Sequence, residues 1–201
     1  MIQIFKTQEN GLEEINKIEP GAWVHLEDPN SGELGHISES LKIDMDFLKA
    51  ALDEEESSRF ETEDGVRLII VAIPVVQPEG ISFLYNTIPL GIILAKDNII
   101  TVCLEDTTII EDFYEGRVKT FDTKMKTRFV FQLLYKNSAK YLQYLRQIDK
   151  ATTQVENALH KSMKNRELVQ MLKLEKSLVF FSTNLKANEI VLEKMLKTNA
   201  L

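Results

Sequence analysis

The sequence contains a single cysteine, Cys103, and so cannot form a disulfide within the chain. This excludes a disulfide framework and a CxxC metal or redox site, and a reducing cytosol fits such cysteine usage best. The first residues also lack the basic and apolar regions of a signal peptide. The longest run without charge, residues 80–95, has 16 residues, whereas a membrane-spanning helix needs about 20 mainly apolar ones. The sequence therefore predicts no membrane span.

Glycine and proline are absent from the C-terminal part. All five prolines precede Leu90, Gly116 is the last glycine, and the final 85 residues contain neither. Because these two residues are the strongest breakers of regular structure, their absence predicts long helices. We place the boundary near Asp122, with an α/β domain over residues 1–122 and long helices over residues 123–201.

Charge divides at the same boundary. Residues 1–122 have 9 Lys and Arg against 25 Asp and Glu, whereas residues 123–201 have 15 against 6. The first part is thus acidic (net −16), the second is basic (net +9), and the whole chain has a net charge of −7. Such asymmetry indicates parts with different partners, or parts that face each other.

The acidic part shows alternating strand and helix patterns. Asn30 and Glu33 form a candidate capping pair at a helix start, while Asp64-Gly65 and Asp97-Asn98 indicate two hairpins. Continuous apolar runs follow, as expected of strands covered on both faces. Together these patterns predict an α/β layered fold. The predicted strands cover residues 1–5, 22–26, 58–63, 66–76, 89–95 and 99–104. The predicted helices cover residues 11–18, begin at 31 and at 44, and cover 107–118.

Two heptad seams occupy the basic part and predict two antiparallel helices, the first about 60 Å long at 1.5 Å per residue. A polar break at residues 164–166 separates them. The second seam is still apolar at Met195 and Leu196, which predicts a helix not finished at Leu201. The first seam comprises Leu134, Ser138, Tyr141, Leu145, Ile148, Thr152, Val155 and Leu159. The second comprises Met171, Leu174, Leu178, Phe181, Leu185, Asn188, Leu192 and Met195.

Catalytic chemistry finds no support in the sequence. It contains no GxGxxG, Walker loop, GxSxG or HExxH pattern, so no enzymatic activity is predicted. His25, His36 and His160 have no metal-ligand spacing, which favours structural or surface roles. Cys103 and Trp23 are expected in the core.

The densest group of hard oxygen donors is the acidic run Asp53-Glu54-Glu55-Glu56. If Asp53 and Glu56 lie on a last helical turn, their spacing puts both carboxylates on one face, where they could share a hydrated divalent cation. Mg²⁺ keeps several waters and needs only one or two protein carboxylates. The simpler interpretation is a solvated acidic face.

A nucleic-acid surface on the basic helices is disfavoured. Their Lys and Arg residues are spread around polar heptad positions and form no single patch with aromatics between. The attached acidic part would also repel phosphates. We therefore expect no nucleic-acid partner.

Four segments in order resemble the CorA family of magnesium transporters. They are Trp23-Val-His-Leu-Glu-Asp-Pro, the stretch Ala51-Leu-Asp-Glu-Glu-Glu-Ser-Ser-Arg-Phe-Glu-Thr-Glu-Asp, then Thr87-Ile-Pro-Leu-Gly-Ile-Ile-Leu, and Asp97-Asn-Ile-Ile-Thr-Val. The helical tail with Asn188-Glu-Ile-Val-Leu-Glu-Lys extends the likeness over nearly the whole chain.

This resemblance implies a cytoplasmic funnel domain, a three-layer α/β/α sandwich with a mixed sheet, then two packed helices and the start of a stalk. In the family the stalk enters the membrane, and five copies surround a pore with a Gly-Met-Asn signature. No Gly-Met-Asn occurs here, so the resemblance implies an ion-sensing and assembly module at the cytoplasmic side of the cell membrane, without the pore. A regulatory Mg²⁺ between subunits is also implied.

The family's funnel-side acidic pair is not carried over, because Lys49 and Ala50 stand at those positions. Asp53, Glu54 and Glu56, one turn later, are the substitutes we predict as metal ligands. Two alternatives remain open. One is an exporter of zinc or another divalent cation from the same fold family. The other is a stand-alone coiled-coil interaction protein.

Overall fold

A seven-stranded mixed sheet with helices on both faces forms the protein in the computed structural model, which describes residues 1–79, 82–161 and 165–198. Among the described residues the strand order is β2-β1-β3-β7-β6-β5-β4, and only the β3–β7 pair is parallel. The strands are β1 Ile2–Gln8, β2 Gly11–Glu14, β3 Trp23–Glu27, β4 Arg59–Glu63, β5 Val66–Glu79, β6 Ser82–Leu94 and β7 Ile99–Cys103. The helices are α1 Ser31–Leu41, α2 Met45–Lys49, α3 Thr108–Tyr114, α4 Lys126–Lys161 and α5 Asn165–Lys197.

Local signals explain most of these boundaries. Asn30 caps α1: its side-chain Oδ1 accepts the Glu33 backbone N–H, and the Glu33 carboxylate accepts the Asn30 backbone N–H. These two bonds confirm the predicted capping box. Asp44 caps α2. Both predicted hairpins form, at Asp64-Gly65 and Asp97-Asn98. The helix predicted over residues 11–18 is wrong, because β2 pairs there with β1.

The two faces of the sheet bury two separate apolar cores. On one face α1 and α2 pack Ile37 and Leu48 against Leu26 and Ile70. On the other face α3, α4 and α5 cover the sheet, with Phe113, Phe129 and Met195 in one cluster. The three-layer α/β/α arrangement is therefore confirmed. The boundary near residue 122 stays a prediction, since both long helices share their core with the sheet.

The long helices run antiparallel. Phe129 near the start of α4 shares a cluster with Val191 and Met195 at the end of α5, whereas Ile148 and Leu174 meet further out. Of the predicted break, residue 164 lies outside the described residues, and α5 begins at Asn165. The last turn of α5 rests on the sheet. The continuation of α5 as a stalk beyond Leu201 stays a prediction. Leu201 lies outside the described residues.

In each predicted heptad seam, only every second member of the series is buried. The fully buried positions recur every seven residues, and the positions between them are half-buried or exposed. This differs from a symmetric two-helix seam because each helix also faces the sheet. The buried members are Leu134, Tyr141, Ile148 and Val155 on α4, and Leu174, Phe181, Asn188 and Met195 on α5.

A close approach makes Gly91 on β6 a sensitive position. A Cβ atom at Gly91 would lie 2.8 Å from the Ala51 Cβ. We expect Gly91→Ala to lower the free energy of unfolding by about 1–3 kcal/mol through overpacking, as measured by chemical denaturation. Adding Ala51→Gly should restore most of the loss, because it removes the opposing methyl group.

Gly35→Ala is the matched control. Gly35 lies within α1, and a Cβ atom added there would have no neighbouring atom within 4 Å. Alanine at this position should stabilise the protein by about 0.5–1 kcal/mol through helix propensity. Equal effects of Gly91→Ala and Gly35→Ala would contradict the steric explanation.

Candidate functional site

The acidic run Asp53–Glu56 forms a turn between α2 and β4. Helix α2 ends at Lys49, a single 3-10 turn covers Ala50–Leu52, and Asp53 is extended. The Glu56 N–H donates to the Asp53 carbonyl at 3.0 Å. Asp53 and Glu56 therefore do not lie on a last helical turn, which was the condition for placing both carboxylates on one helix face. They instead lie in one loop at the β4 side of the sheet.

The carboxylates of this loop have different partners. Glu56 forms an ion pair with Arg59, whose Nε also lies 3.1 Å from Glu61 Oε1. The Glu56 carboxylate beside it raises the pKa of the Arg59 guanidinium. Asp53 Oδ1 accepts a hydrogen bond from the Glu55 N–H at 3.0 Å, and Glu54 is exposed. Asp53 and Glu54 thus face solvent, whereas Glu56 is neutralised.

Lys49 and Ala50, which stand at the positions of the family's funnel-side acidic pair, provide no carboxylate for a metal ion. Lys49 is exposed and ends α2, and Ala50 is buried in the core between the sheet and the first helices. A carboxylate at the buried position would lose its hydration. Any ligand role in this region therefore rests on the loop that follows.

The loop can supply a sparse site for a hard cation. Within the described ranges, no group of three or more His, Cys, Asp and Glu side chains is placed to hold a metal ion. Asp53 and Glu54 nevertheless offer carboxylate oxygens of the type Mg²⁺ prefers, and the ion retains waters on its other positions. The donor set fits a hydrated ion whose remaining positions are filled by water.

The histidines occupy structural or surface positions, as predicted. His36 and His160 are exposed, whereas His25 is buried beside Trp23. Thr101 Oγ1 accepts the Trp23 Nε1–H at 2.8 Å and lies 2.9 Å from His25 Nδ1. Burial lowers the pKa of His25 to about 4. The other expected core residue, Cys103, is buried, and burial raises the pKa of its thiol to about 12.

Asn188 connects α5 to an open part of the sheet edge. Strand β4 pairs with β5 only as far as Ile70, which leaves the backbone of Ala72 without a strand partner on that side. Asn188 Oδ1 accepts the Ala72 N–H at 2.9 Å, and Asn188 Nδ2 donates to the Ala72 carbonyl at 2.8 Å. The side-chain amide thus replaces a neighbouring strand.

The same amide reaches the acidic loop. Ser58, two residues after Glu56, donates its hydroxyl to Asn188 Oδ1 at 2.8 Å. Further along α5, Lys194 Nζ donates to the Phe60 carbonyl on β4 at 2.8 Å. The sequence pattern placed Asn188 in the seam toward α4, so its bond to the sheet was missed. The residues that follow the acidic loop are thereby tied to α5.

A family model described as CorA-like Mg²⁺ transporter protein matches residues 20–201. The chain therefore belongs to the CorA family. A curated relative, the cobalt/magnesium transport protein CorA of Methanocaldococcus jannaschii, is 27% identical over 179 residues, covering 85% of this chain and 53% of the relative. The chain thus spans about half the length of that relative. Such relatives are transport proteins rather than enzymes.

Solved structures show the same fold. The complete CorA magnesium transporter from Methanocaldococcus jannaschii superposes with a TM-score of 0.84 at 20% identity, over 97% of this chain and 62% of that one. Its soluble domain gives 0.81 at 22% identity, over 96% and 77%. The ZntB cytoplasmic domain from Vibrio parahaemolyticus gives 0.60 at 10% identity, over 98% and 97%.

No helix among the described residues combines the length and the apolar character needed to cross a bilayer. The acidic loop and its connection to α5 both lie within residues 20–201, the part of the chain that the family model matches. Asp53, Glu54 and Glu55 are exposed to solvent, and among the described residues only Glu56 of this run forms an ion pair. This loop, joined to α5 through Asn188, is the candidate site.

Proposed function

We propose that this chain is the cytoplasmic, ion-sensing and assembly part of a CorA-like magnesium transporter, which reaches the cell membrane through segments that follow it. The family match over residues 20–201 is the observation that carries this proposal. The strongly acidic first part adds support, because it gives a divalent cation a favourable electrostatic environment.

The sensing step is a population shift between assembled states. Acidic subunits repel one another, and a dication held by Asp53 and Glu54 together with groups of a neighbouring subunit reduces that repulsion. Ion binding then favours the compact, closed ring of a homo-oligomer, a pentamer in the full-length transporter. Loss of the ion favours separation of the subunits and opening.

Magnesium should stabilise the isolated chain if the loop binds it. A site with a dissociation constant of about 1 mM would contribute about 1.4 kcal/mol at 10 mM Mg²⁺. That corresponds to a rise in melting temperature of roughly 3–6 °C for a protein of this size. Differential scanning calorimetry with MgCl₂, compared with NaCl of equal ionic strength, measures the specific part of the shift.

Paired substitutions assign the effect to the loop. Asp53→Asn with Glu54→Gln should abolish the magnesium-dependent shift. Glu13→Gln with Glu14→Gln removes the same charge from two exposed carboxylates on β2, at the other edge of the sheet, and should preserve the shift. A shift that survives in the first variant would move the site elsewhere, and no shift with magnesium, cobalt or zinc would remove the sensing function.

Zinc or another divalent cation is the alternative cargo. The family is described as Mg²⁺ transporters, and the curated relative is a cobalt/magnesium transport protein. Magnesium is therefore the first choice for the transported ion. The similarity to the ZntB cytoplasmic domain concerns the fold alone. A melting shift with zinc at concentrations where magnesium has none would favour the exporter. Neither the fold nor the relatives favour a stand-alone interaction protein.

A further inference from the structure

A cavity of about 1000 Å³ opens at one end of the sheet, on the face that α1 and α2 cover. Three loops meet there, with the end of α1 beside them: residues 16–20 between β2 and β3, the Asp64-Gly65 turn, and residues 95–98 between β6 and β7. Sites for small organic ligands have volumes of this order. No residue of the acidic loop lines the cavity, so the two features are separate.

The floor of the cavity is aliphatic. Ile4, Ile18, Leu41 and Val66 line it and pack against the core beneath α1 and α2. The long helices α4 and α5 belong to the other face of the sheet, where Met195 is buried, and none of their described residues lines this cavity. A flat apolar group can therefore lie on the floor without displacing a described element.

Hydrogen bonds hold two walls of the cavity together. Asn98 Nδ2 donates to the Glu19 carbonyl at 2.7 Å and to the Ala22 carbonyl at 3.1 Å. The Gly21 N–H donates to the Asp97 carbonyl at 2.7 Å. These bonds fix the β6–β7 turn against the loop before β3, so the cavity exists before a ligand enters. A preformed site loses less entropy on binding than one that must be ordered.

Asn98 also offers the cavity a hydrogen-bond acceptor. The residue is only 5% exposed, and its Nδ2 is already used. Its Oδ1 accepts no hydrogen bond among the described residues, yet it is not one of the side-chain atoms that are both sealed from solvent and unpaired. The atom therefore keeps contact with solvent, and the cavity that Asn98 lines supplies that contact. A donor on a ligand, such as an amino group, would satisfy it.

The rim of the cavity carries lysines without ion-pair partners. Lys17, Lys42 and Lys96 line the cavity and are exposed, and none of the three forms an ion pair among the described residues. They are three of only nine Lys and Arg residues in residues 1–122, a part with a net charge of −16. Several ammonium groups around one cavity favour a multiply charged anion such as a phosphate chain.

The rim also carries carboxylates. Glu19 is paired with Lys6 at 2.5 Å, which leaves Asp64 and Asp97 among the residues that line the cavity. The three rim lysines outnumber these two carboxylates, so an anion remains favoured. A carboxylate accepts hydrogen bonds and donates none. The rim therefore suits a ligand that combines negative charge with hydroxyl or amino donors.

We propose that this cavity binds a nucleoside phosphate. The base lies on the aliphatic floor and donates an amino hydrogen to Asn98 Oδ1, the sugar hydroxyls donate to the rim carboxylates, and the phosphates contact the rim lysines. Inorganic phosphate would leave the floor unused, and a fatty acid would leave Asn98 and the rim carboxylates unused. The proposal does not depend on magnesium sensing or on transport.

Isothermal titration calorimetry of the 201-residue chain with ADP tests the binding. The buffer contains EDTA, so that magnesium binding cannot produce the signal and a failure here is distinct from a failure of magnesium sensing. We expect one site per chain with a dissociation constant of about 10 μM to 1 mM, since contacts to exposed charges contribute little each. Raising NaCl from about 50 mM to about 300 mM should weaken binding, because salt screens the lysines.

Ligand analogues separate the parts of the site without altering the protein. IDP presents an oxygen where ADP has the amino group, so it should bind about 10-fold or more weakly opposite Asn98 Oδ1. Adenosine, which lacks the phosphates, and inorganic diphosphate, which lacks the base, should each bind more weakly than ADP. Equal affinity for ADP and inorganic diphosphate would overturn the proposal in favour of a simple anion patch.

Paired lysine variants assign the phosphates to the rim. Lys17→Gln with Lys96→Gln should weaken ADP binding about 2- to 30-fold, the combined effect of two exposed charge contacts. Lys49→Gln with Lys119→Gln is the matched control, because both lysines are exposed in the acidic part but lie outside the cavity. The control removes the same charge and should leave the affinity unchanged. Equal losses in the two double variants would mean that only the overall charge matters.

Methyl NMR locates the ligand. Addition of ADP should shift the methyl signals of Ile4, Ile18, Leu41 and Val66, which form the floor, and leave those of Leu185 on α5 unchanged. Three results would overturn the proposal: no binding at about 5 mM ADP, which corresponds to an affinity too weak for a specific site; shifts confined to residues outside the cavity; and equal affinity for ADP and IDP.

Discussion

Acidification from pH 7 to pH 4.5 should lower the free energy of unfolding by about 2.5 kcal/mol through His25 alone. Its pKa is about 4 in the folded protein, against 6.5 as the reference value. Because the folded-state pKa is the lower one, the unfolded state binds the proton more strongly. This contribution to stability is complete above pH 6.5 and is lost as the pH falls toward 4.

The geometry explains why the folded protein resists protonation of His25. A charged imidazolium carries two N–H donors, but only Nδ1 faces a partner, Thr101 Oγ1 at 2.9 Å. Nε2 is buried without one among the described residues. The attraction of Asp106 raises the pKa of His25 but is smaller than the effect of burial.

Chemical denaturation at pH 4.5, 5.5, 6.5 and 8 measures this dependence. His25→Gln keeps a polar side chain of similar reach but cannot titrate, so its stability should vary much less over the same range. The difference between the two proteins isolates His25 from the carboxylates. Parallel pH profiles of wild type and His25→Gln would show that His25 is not the group responsible.

Asn188→Leu should destabilise the protein by about 2–4 kcal/mol, since it removes a buried amide that completes the edge of β5. The Ala72 N–H would retain only the longer contact to Ser58 Oγ at 3.2 Å. The Ser58 hydroxyl would lose its acceptor on α5. Denaturant unfolding measures the loss, and amide exchange at Ala72 should accelerate with it.

Asn184→Leu is the matched control on the same helix. Asn184 is half-buried and donates to the Thr87 hydroxyl at 2.9 Å and to the Phe180 carbonyl of its own helix. Its replacement should cost about 1 kcal/mol, because no strand backbone depends on it. Equal losses in the two variants would mean that Asn188 acts only through general packing.

Short-range signals predicted much of the fold. The capping pair Asn30 and Glu33, the helix start at Asp44 and the two hairpin turns each act within a few residues, and the structure confirms them. The absence of glycine and proline likewise predicted α4 and α5. These features depend on local backbone geometry, which the sequence specifies directly.

The helix predicted over residues 11–18 shows where this reasoning fails. Leu12, Ile15 and Ile18 have helical spacing, but β2 is an edge strand that forms because β1 is beside it. Gly11 has a φ of 122°, a conformation that suits glycine in a turn. The Asn10-Gly11 pair was the available turn signal, and strand pairing prevailed over the periodicity.

The candidate site was predictable only in part. The acidic loop is visible in the sequence as a run of carboxylates. The ion pair that neutralises Glu56 is not visible there, because it depends on the Arg59 side chain lying beside Glu56. The Asn188 bonds join residues 116 and 130 positions apart, and an asparagine in an apolar seam does not reveal which surface it faces. Such pairings follow from tertiary packing.

The outer end of the α4–α5 hairpin extends beyond its attachments to the sheet. The base of the hairpin is fastened to the sheet through Phe129, Asn188 and Lys194, and Tyr85 makes hydrogen bonds to Ser177 and Gln147 further out. Beyond Gln147, α4 continues to Lys161, a length of about 21 Å, so a rotation of one degree at that point displaces the far end by about 0.4 Å. Small adjustments where the acidic loop meets α5 are therefore magnified with distance, and a reporter placed near residue 155 would register them better than one on the sheet.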